Sequence, residues 1–394
     1  MKVRFSWGLV GSDSSTSGFL YYTAYELSSL NGKALYGNHY KECSAANKGA
    51  RWETADKKDL GFEMGFFRDR LNLNVDLFDE YRYDILMSPV VTPLVGIGFK
   101  QTNSGALKKH GIDIDLLWRD SLKSGWHYSL GVLVGLNENR IVKYADIPYN
   151  PEYKKYAGTP VNSQRTGSTL IDDKYFQNIN QIHGYPAYTA SWTNLVPGVY
   201  KFMDYMPDGV LSDEDLHVLA GSSYPPCSYS LNFSLGYKGF TFRAVGTGTV
   251  GKKIQFKRGY IIPFLSGDLT VHPAALDYWT PTNRLADAPT PTFIDQMYAW
   301  AGGTSNHPGF NLALEDYTWR KSDYFNIQEL YFGYKFDGKK LRQRLGIDGL
   351  TVSLTANNFW MFTNLIEGNP QIHNTATSYY PLTRTTKLGV SINF

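Results

Sequence analysis

The chain has 394 residues, with 39 Lys and Arg against 36 Asp and Glu, and a formal net charge of +3. A charge this balanced does not favour nucleic acid or an anionic membrane surface as the main partner. Its 37 Gly, 29 Tyr and 22 Phe suit strands, bends and aromatic girdles better than helices.

Average hydropathy does not decide whether this chain spans a membrane. The sequence has no apolar run of about 18 residues that predicts a membrane helix, and its mean hydropathy is −0.33. A transmembrane β-barrel is still allowed, because its strands alternate lipid-facing and lumen-facing residues. The start MKVRFSWGLV has no apolar core or cleavage site, so it does not predict a signal peptide. Cys43 and Cys227 predict reduced thiols rather than a disulfide scaffold.

Apolar and polar residues alternate in several segments along the chain, which is typical of two-faced strands. In the clearest segment, Leu231, Phe233 and Leu235 alternate with Ser230, Asn232 and Ser234. The same pattern occurs in LGFEMGFF, RLNLNVDLFDEYRYD, HGIDIDLLW, GWHYSLGVLVGLNEN, NIQELYFGYKF and LTVSLTANNFW. It predicts an all-β fold of roughly ten to twelve antiparallel strands, several of them long enough for a tilted membrane crossing.

The predicted connections have two lengths. Tight turns are predicted at Arg68-Asp69, around Ser121 to Gly125 and at Lys238-Gly239. Long connections are predicted at residues 28–51, 85–102, 139–186 and 251–318. Short turns on one side and long loops on the other are typical of an outer-membrane barrel. The strand-end aromatics Trp118, Trp126, Tyr237 and Trp360 fit interfacial girdles.

The last ten residues, TTKLGVSINF, form one more alternating strand that ends in Phe394. Terminal residues of a globular protein usually fray. An apolar face that reaches the final residue is therefore better explained by the last strand of a closed barrel, with its aromatic at the membrane interface.

The stretch DYMPDGVLSDED places Asp204, Asp208 and Asp215 at positions 1, 5 and 12 of a calcium-loop spacing, with Gly209 at position 6. Position 3 is Met206, and the bidentate Glu usual at position 12 is replaced by the shorter Asp215. We therefore expect a plain acidic turn and no cofactor, with calcium as the alternative.

Two sequence patterns resemble enzyme motifs, but each has a simpler structural explanation. The stretch GTGTVGKK satisfies a dinucleotide fingerprint, but IQFKRGYIIPF follows it and predicts no helix that could receive phosphate. Asp113 with Asp115, and Glu63 with Asp76, lie on predicted strands, where a hydrated barrel wall explains them better than acid/base catalysis. We find no HExxH or G-x-S-x-G motif, and we expect no enzyme activity.

Aromatic residues are concentrated between residues 251 and 320, at Tyr260, Tyr278, Trp279, Tyr298, Trp300, Tyr317 and Trp319. Exposed aromatics in long loops commonly bind sugars or partner proteins. The candidates for substrate or partner contact are Tyr278, Trp279, Trp300 and Trp319. Hydrophobic cores within the loops themselves explain the same residues equally well.

ARWETADKKDLGFEMGFFRDRLNLNVDLFDEYRYDILM resembles the WE-T-x-x-K-x-x-x-G-hydrophobic stretch and following strand of SusC/RagA-type TonB-dependent outer-membrane transporters of Bacteroidetes. NSGALKKHGIDIDLLW, ALDYWTPTNRLADAP, SDYFNIQELYFGYKF and LTVSLTANNFWMFTNL match later blocks of that family in the right order. The resemblance spans about Met1 to Phe394. In the acidic block the family reads D-x-N-G-D-G, whereas this chain has Met206-Pro207 in place of Asn-Gly, which weakens a metal site carried over from the family.

The resemblance implies that residues 1–394 are the C-terminal portion of a plugged barrel of about 22 strands. The family's N-terminal signal, TonB-contacting box and plug domain are expected to be absent from this chain. The implied function is import of an oligosaccharide or peptide across the bacterial outer membrane, with a SusD-like surface lipoprotein over the barrel. The implied partners are outer-membrane lipid and that lipoprotein, with TonB reached only through the missing N-terminal part. Phe394 is implied as part of the assembly signal.

Three alternatives remain open at this point. A complete small porin would close its barrel with these strands alone. An outer-membrane hydrolase would need a nucleophile and base in the loops or wall. A secreted carbohydrate-binding β protein is disfavoured by the outward aliphatic faces.

Overall fold

The computed structural model describes most of the chain. The described residues are 1–13, 18–28, 39–161, 166–167, 170–188, 196–198, 200–218, 221–255, 276–286, 290, 319–336, 342–343, 346–365, 369–371 and 382–393. Within them, ten strands form one antiparallel sheet in which each strand pairs with the next along the chain. The all-β fold predicted from the alternation is confirmed.

The strands of this sheet are long where the alternation is long. They are β1 Lys2–Ser12, β2 Glu53–Phe66, β3 Leu71–Met87, β4 Thr102–Ser121, β5 Trp126–Lys143, β6 Cys227–Tyr237, β7 Phe240–Val250, β8 Tyr324–Phe336, β9 Gly349–Thr363 and β10 Thr385–Asn393. Cys227 is a half-buried free cysteine, and the side chain of Cys43 lies outside the described part.

Directly opposed residues form rows across the sheet, and these rows define its apolar face. One row reads Phe5, Leu60, Leu77, Ile112 and Leu136 on β1 to β5. On β6 to β10 a second row reads Leu235, Phe242, Phe332, Leu354 and Leu388. Leu231 and Phe233 lie on this face and are 39% and 37% exposed, so they do not pack into a closed core.

The opposite, polar face carries the residues between these rows. One row on it reads Arg4, Gly61, Asp76, Asp113 and Gly135. A shallow cavity of about 450 Å³ runs along it, with a lining that includes Asn74, Asp76, Asp113, Asp115, Ser228, Ser230, Thr247 and Thr249. The predicted wall carboxylates lie here, and Arg4 forms ion pairs with Glu63 and Asp76.

The connections give the sheet a turn end and a loop end. At the turn end the chain leaves and re-enters the sheet between Phe66 and Leu71, Ser121 and Trp126, Tyr237 and Phe240, and Phe336 and Gly349. In the two-residue turn, Lys238 and Gly239 have φ values of 43° and 92°, the left-handed region that a tight hairpin requires. At the loop end the chain leaves and re-enters the sheet between Ser12 and Glu53, Met87 and Thr102, Lys143 and Cys227, Val250 and Tyr324, and Thr363 and Thr385. Because the number of strands is even, β1 begins and β10 ends at the turn end.

The outer edges of β1 and β10 have no partner strand within the described part of the chain. Both edge strands are exposed along almost their whole length. Open edges leave a row of backbone N–H and C=O groups unpaired, so the sheet as described is a wall with two edges and not a closed barrel.

The loop end carries short elements of its own. Ala24–Ser28, His39–Ala45 and Gly98–Phe99 form a three-stranded sheet. Paired short strands are Leu170–Tyr175 with Tyr200–Phe202, Ala187–Tyr188 with Val210–Leu211, Thr166–Gly167 with His217–Val218, and Lys253–Gln255 with Trp319–Lys321. The one α-helix among the described residues is α1, Ile179–His183, and single 3-10 turns occupy Pro93–Val95, Glu152–Lys154 and Asp213–Asp215. No helix in the described residues is long and apolar enough to cross a membrane.

The most buried side chains belong mainly to the loop end. Tyr175, Phe176, Phe202 and Leu211 are essentially inaccessible. Tyr185 packs edge-on against Phe176, with their ring centroids 4.9 Å apart. The loops therefore have a hydrophobic core of their own.

Lys252 links two of the loops. Its side chain is 2% exposed, and its Nζ donates a hydrogen bond to the carbonyl oxygen of Pro370 at 2.7 Å. The hydroxyl of Ser322 donates to the same oxygen at 3.1 Å. Burial lowers the pKa of Lys252 to about 8, because the protonated amine loses its hydration.

This burial makes the stability of the protein depend on pH. The unfolded lysine keeps its proton up to its ordinary pKa of 10.5, whereas the folded one loses it near 8. Between these values the unfolded state binds more protons, so the free energy of unfolding rises with pH by at most about 1.4 kcal/mol per unit. We expect Lys252→Met to abolish this rise in thermal unfolding scans between pH 7.5 and 10, and exposed Lys321→Met to preserve it. Parallel pH curves for the wild type and Lys252→Met would contradict the assignment.

Candidate functional site

The loop end contains most of the residues predicted to contact a substrate or partner. Tyr278, Trp279 and Trp319 lie among the described residues. Trp300 and the predicted assembly residue Phe394 lie outside them, so their roles stay predictions.

Trp279 belongs to the core of the loops. Its side chain is 5% exposed, and its Nε1 donates a hydrogen bond to Oε1 of Gln177 at 3.2 Å. A Cβ atom at Gly198 would lie 2.5 Å from the Trp279 ring, and Gly198 has a φ of 92°. The ring therefore occupies a slot that requires glycine, and it fastens residues 276–286 to the preceding loop. This placement favours the loop-core alternative for Trp279.

Tyr278 points the other way and is 40% exposed. It lies beside a tight turn in which the backbone N–H groups of Thr280 and Asn283 donate to each other's carbonyl oxygens. The Asn283 side chain donates to Asp277 at 2.7 Å, which closes the turn further. Leu276 and Leu285 are also exposed here, so this rigid turn presents apolar surface to solvent.

Trp319 is half-buried in the short strand Trp319–Lys321, which pairs with Lys253–Gln255. Of the three predicted aromatics that the structure describes, Tyr278 is the most exposed. Sequence patterns could not separate these cases, because the partners that bury Trp279 lie in a different loop.

The three carboxylates of the acidic turn are engaged by backbone N–H groups. Asp215 accepts from Met206 N at 2.9 Å and from Ser212 N at 2.8 Å. Asp204 accepts from Gly209 N at 3.0 Å, and Asp208 accepts from Val210 N at 2.8 Å.

These bonds all join the carboxylates to the backbone of the same turn. Gly209 has a φ of 82°, which explains glycine at this position. Among the described residues, no group of three His, Cys, Asp or Glu side chains is arranged to hold a metal ion.

Burial raises the pKa of the Asp204 carboxyl, and the nearby Asp215 and Asp208 raise it further against the hydrogen bond from Gly209. The folded turn therefore holds a proton on Asp204 more readily than the unfolded chain does.

An aromatic cluster fastens the acidic turn to residues 152–154. Tyr205 stacks on His217 with ring centroids 4.7 Å apart, and Tyr153 lies 4.9 Å from Tyr205. The Tyr153 hydroxyl donates to the carbonyl oxygen of Glu214 at 3.0 Å, and Lys154 forms an ion pair with the Glu214 carboxylate at 2.7 Å. The loop end is thus a preformed surface suited to binding.

A serine–histidine contact occurs on the polar face at the turn end. Nδ1 of His127 lies 2.8 Å from the Ser121 hydroxyl, on directly opposed positions of β4 and β5. Both residues are exposed, and no carboxylate among the described residues contacts the other ring nitrogen. This is an ordinary cross-strand pair, and it lacks the third group that orients a catalytic base.

Comparisons with known proteins agree with this architecture. A family model described as TonB dependent receptor-like, beta-barrel, matches residues 4–224. Among curated proteins, the chain is similar to TonB-dependent receptors P3 and P39 of Formosa agariphila, at 22% identity over 372 residues and 20% over 419. These matches cover 89% and 97% of this chain, and the chain spans 35% and 38% of those receptors.

Solved structures with the same fold include the RagAB peptide transporter and the RagAB peptide importer in its open-open state. Their TM-scores are 0.65 and 0.66 at 17% identity, and each match covers 100% of this chain and 40% of the matched chain. The predicted TonB-dependent barrel family is thereby confirmed, and the RagAB structures share its fold. With more than half of its residues matched by the family model, the chain belongs to the TonB dependent receptor-like β-barrel family.

Proposed function

We propose that this chain is part of the barrel wall of an outer-membrane TonB-dependent nutrient importer that works with a SusD-like surface lipoprotein. The observation that carries the proposal is the ten-stranded sheet with one apolar face, one polar face and a folded loop layer at one end. On β5 the apolar face runs from Trp126 to Leu136, which corresponds to about 25 Å along the membrane normal for a strand tilted by about 40°. That height matches the apolar band of outer-membrane barrels.

The two unpaired edges are evidence that the sheet is part of a larger barrel. Backbone groups exposed to hydrocarbon cost several kcal/mol each, so β1 and β10 require partner strands in a membrane. A plugged transporter of about 22 strands would supply them. A complete small porin would need β1 to pair with β10, and these strands are not paired in the described sheet.

The polar face supports a hydrophilic cargo. Asp76, Asp113 and Asp115 lie at mid-height. One row across β4 to β10 contains Arg119, Ser129, Ser234, Arg243, Tyr331, Thr355 and Lys387. Walls with both signs of charge suit peptides, and the RagAB structures are described as a peptide transporter. We therefore favour peptides over oligosaccharides as cargo.

The loop layer supports a partner at the cell surface. Tyr278, Tyr205 and Tyr224 are exposed on segments held by hydrogen bonds or stacking, and exposed tyrosines on rigid elements are common binding anchors. In this proposal the SusD-like lipoprotein covers the loop end and TonB acts through other parts of the transporter. No covalent step is proposed, because the family consists of transporters and receptors.

The proposal is tested by energised uptake of labelled peptides into cells. We expect residues 1–394 with an added signal peptide to give no uptake, and coexpression with plug-bearing N-terminal strands to restore it. The open edges provide the physical reason, since isolated insertion leaves them unsatisfied. Energised uptake by residues 1–394 alone would show that the wall proposal is wrong.

The face assignment is tested by arginine substitutions at adjacent positions in the complete transporter. Leu231→Arg places a charge on the lipid-facing side, at a cost of about 2–4 kcal/mol near the bilayer midplane. Asn232→Arg places the same charge in the lumen, where it remains hydrated. We expect the first variant to lower the yield of folded, heat-modifiable barrel in outer membranes and the second to leave it unchanged. Equal yields would contradict the assignment.

The acidic turn is tested by two aspartate variants. Asp215→Asn removes the negative charge from a buried acceptor that two backbone N–H groups share, which we expect to cost about 1–3 kcal/mol. Asp204→Asn keeps an acceptor for Gly209 N and removes the carboxylate whose pKa is raised.

The raised pKa fixes the sign of the pH effect. The contribution of Asp204 to stability is present at low pH and is lost as pH rises through its folded pKa. In thermal unfolding scans, the stability of the wild type should decrease as pH rises through the folded pKa of Asp204. The stability of Asp204→Asn should not show this decrease. An increase in melting temperature with millimolar calcium, seen in the wild type but not in Asp204→Asn, would instead support the calcium alternative.

A further inference from the structure

Phe78 is an aromatic residue on the polar face of the sheet. It lies on β3 and is directly opposed to Asp59 on β2 and to Gly111 on β4. A Cβ atom at Gly111 would overlap the Phe78 ring, so the ring lies against Gly111 and requires glycine at that position. The ring is half-buried, which leaves part of it accessible from the polar face. Phe78 and Gly111 thus form a small apolar platform on a largely polar wall.

Two residues of opposite charge lie on either side of this platform along β4. Lys109 is two residues before Gly111 and Asp113 is two residues after it, so alternation places all three on the polar face. Both charged residues are exposed. Four residues of strand separate their Cα atoms by about 13 Å. The platform therefore has a cationic side and an anionic side.

Lys109 has no carboxylate partner among the described residues. Its Nζ lies 5.3 Å from the centre of the Phe78 ring, at cation–π distance. Glu80 is directly opposed to Lys109, but it accepts hydrogen bonds from Arg82 at 2.9 and 3.3 Å and lies 3.7 Å from Lys57. Because two other cations already neutralise Glu80, the N–H donors of Lys109 are available to an anionic ligand.

Asp113 has no cationic partner in the described part of the wall, whereas its opposed neighbour Asp76 is paired with Arg4 at 2.5 Å. Asp115, two residues further along β4, adds a second carboxylate to the same side. A Cβ atom at Gly135 would lie 3.0 Å from Oδ1 of Asp113, so glycine leaves room for this carboxylate. Asp113 also lines the cavity of about 450 Å³ on the polar face. The anionic side of the platform is therefore open to a cationic ligand.

This arrangement matches the chemistry of a short peptide. An extended chain advances about 3.3–3.6 Å per residue, so the ammonium and carboxylate groups of a tripeptide lie about 10 Å apart. The side chains of Lys109 and Asp113 can cover the remaining distance to these two groups. An apolar side chain between the two charges then meets the ring of Phe78.

We propose that Lys109, Phe78 and Asp113 form a peptide-binding site on the wall. Lys109 binds a carboxylate, Asp113 binds an ammonium group, and Phe78 contacts an apolar side chain between them. The inference rests on the proposed function and deepens it, because it names the class of peptide that the wall selects. A cargo that crosses the membrane inside the barrel passes along this face, so the site can hold the cargo during its passage.

Lys108 and Asp79 provide matched controls. They carry the same two charges on the apolar face, and they pair with each other at 3.3 Å. Lys108 adjoins Lys109 on β4, so Lys108→Gln and Lys109→Gln remove the same charge from the same strand. Asp79→Asn is the corresponding control for Asp113→Asn. The site variants and the control variants therefore differ in the face that loses the charge.

The test measures binding of Gly-Phe-Gly to the complete transporter, purified in detergent, by isothermal titration calorimetry. We expect Lys109→Gln and Asp113→Asn each to weaken binding about tenfold, as for the loss of one charge-assisted hydrogen bond. The two control variants should bind as the wild type does. Phe78→Leu should reduce the preference for Gly-Phe-Gly over Gly-Ala-Gly, because it removes the aromatic contact.

Blocked peptides assign each charge to its partner. The C-terminal amide of Gly-Phe-Gly should bind Lys109→Gln and the wild type alike, and the N-acetyl peptide should bind Asp113→Asn and the wild type alike. Acetyl-Lys-Phe-Glu amide carries the two charges on side chains only. Weaker binding of this peptide than of Gly-Phe-Gly assigns the site to peptide termini. Equal binding with the same dependence on Lys109 and Asp113 assigns it to any ammonium and carboxylate at this spacing.

Absence of Gly-Phe-Gly binding to the wild type would overturn the inference, as would equal binding by the site variants and the control variants. Heat-modifiability of each variant verifies that it is folded. Energised peptide uptake is measured separately in cells. Binding that depends on Lys109 and Asp113 without uptake of any peptide would contradict the proposed function alone. Intact uptake together with unaltered binding by the site variants would contradict this inference alone.

Discussion

The antiparallel hydrogen-bond ladder is the constraint on which the rest of this structure depends. Because successive side chains point to opposite faces, fixing one pair of opposed residues assigns a face to the residues of both strands as far as the next bulge. A slip of one residue would exchange the two faces along a whole strand. The rows from Phe5 to Leu136 and from Arg4 to Gly135 exist because the four pairings that join β1 to β5 keep one register through these residues.

The wall and the loop layer are stabilised by different physics. The wall exposes large apolar side chains on one face and hydrated groups on the other, so its stability depends on backbone hydrogen bonds and on what covers the apolar face. The loop layer buries Tyr175, Phe176 and Phe202 and can hold its shape against water. A sheet that faces lipid can therefore carry a loop layer that faces solvent and has its own hydrophobic core.

Period-two alternation predicted the wall well, because the two environments of a barrel strand impose it directly. It placed Leu231 and Asn232 on opposite faces and located the turn at Lys238-Gly239. It could not predict the bulge after Ile327, where the pairing with β9 shifts by one residue. The alternation also could not predict the burial of Trp279 and Lys252, because their partners Gln177 and Pro370 lie 102 and 118 residues away in the sequence. The contacts of the acidic turn are local, and whether this turn binds calcium stays a prediction.

The even number of strands places the start of β1 and the end of β10 at the same rim of the sheet. A unit with this property can be joined to other even-stranded units without any connecting segment having to cross the bilayer. Exchange or duplication of such units in evolution conserves the sidedness of every loop, so the exposed surfaces can diversify while membrane topology is inherited unchanged.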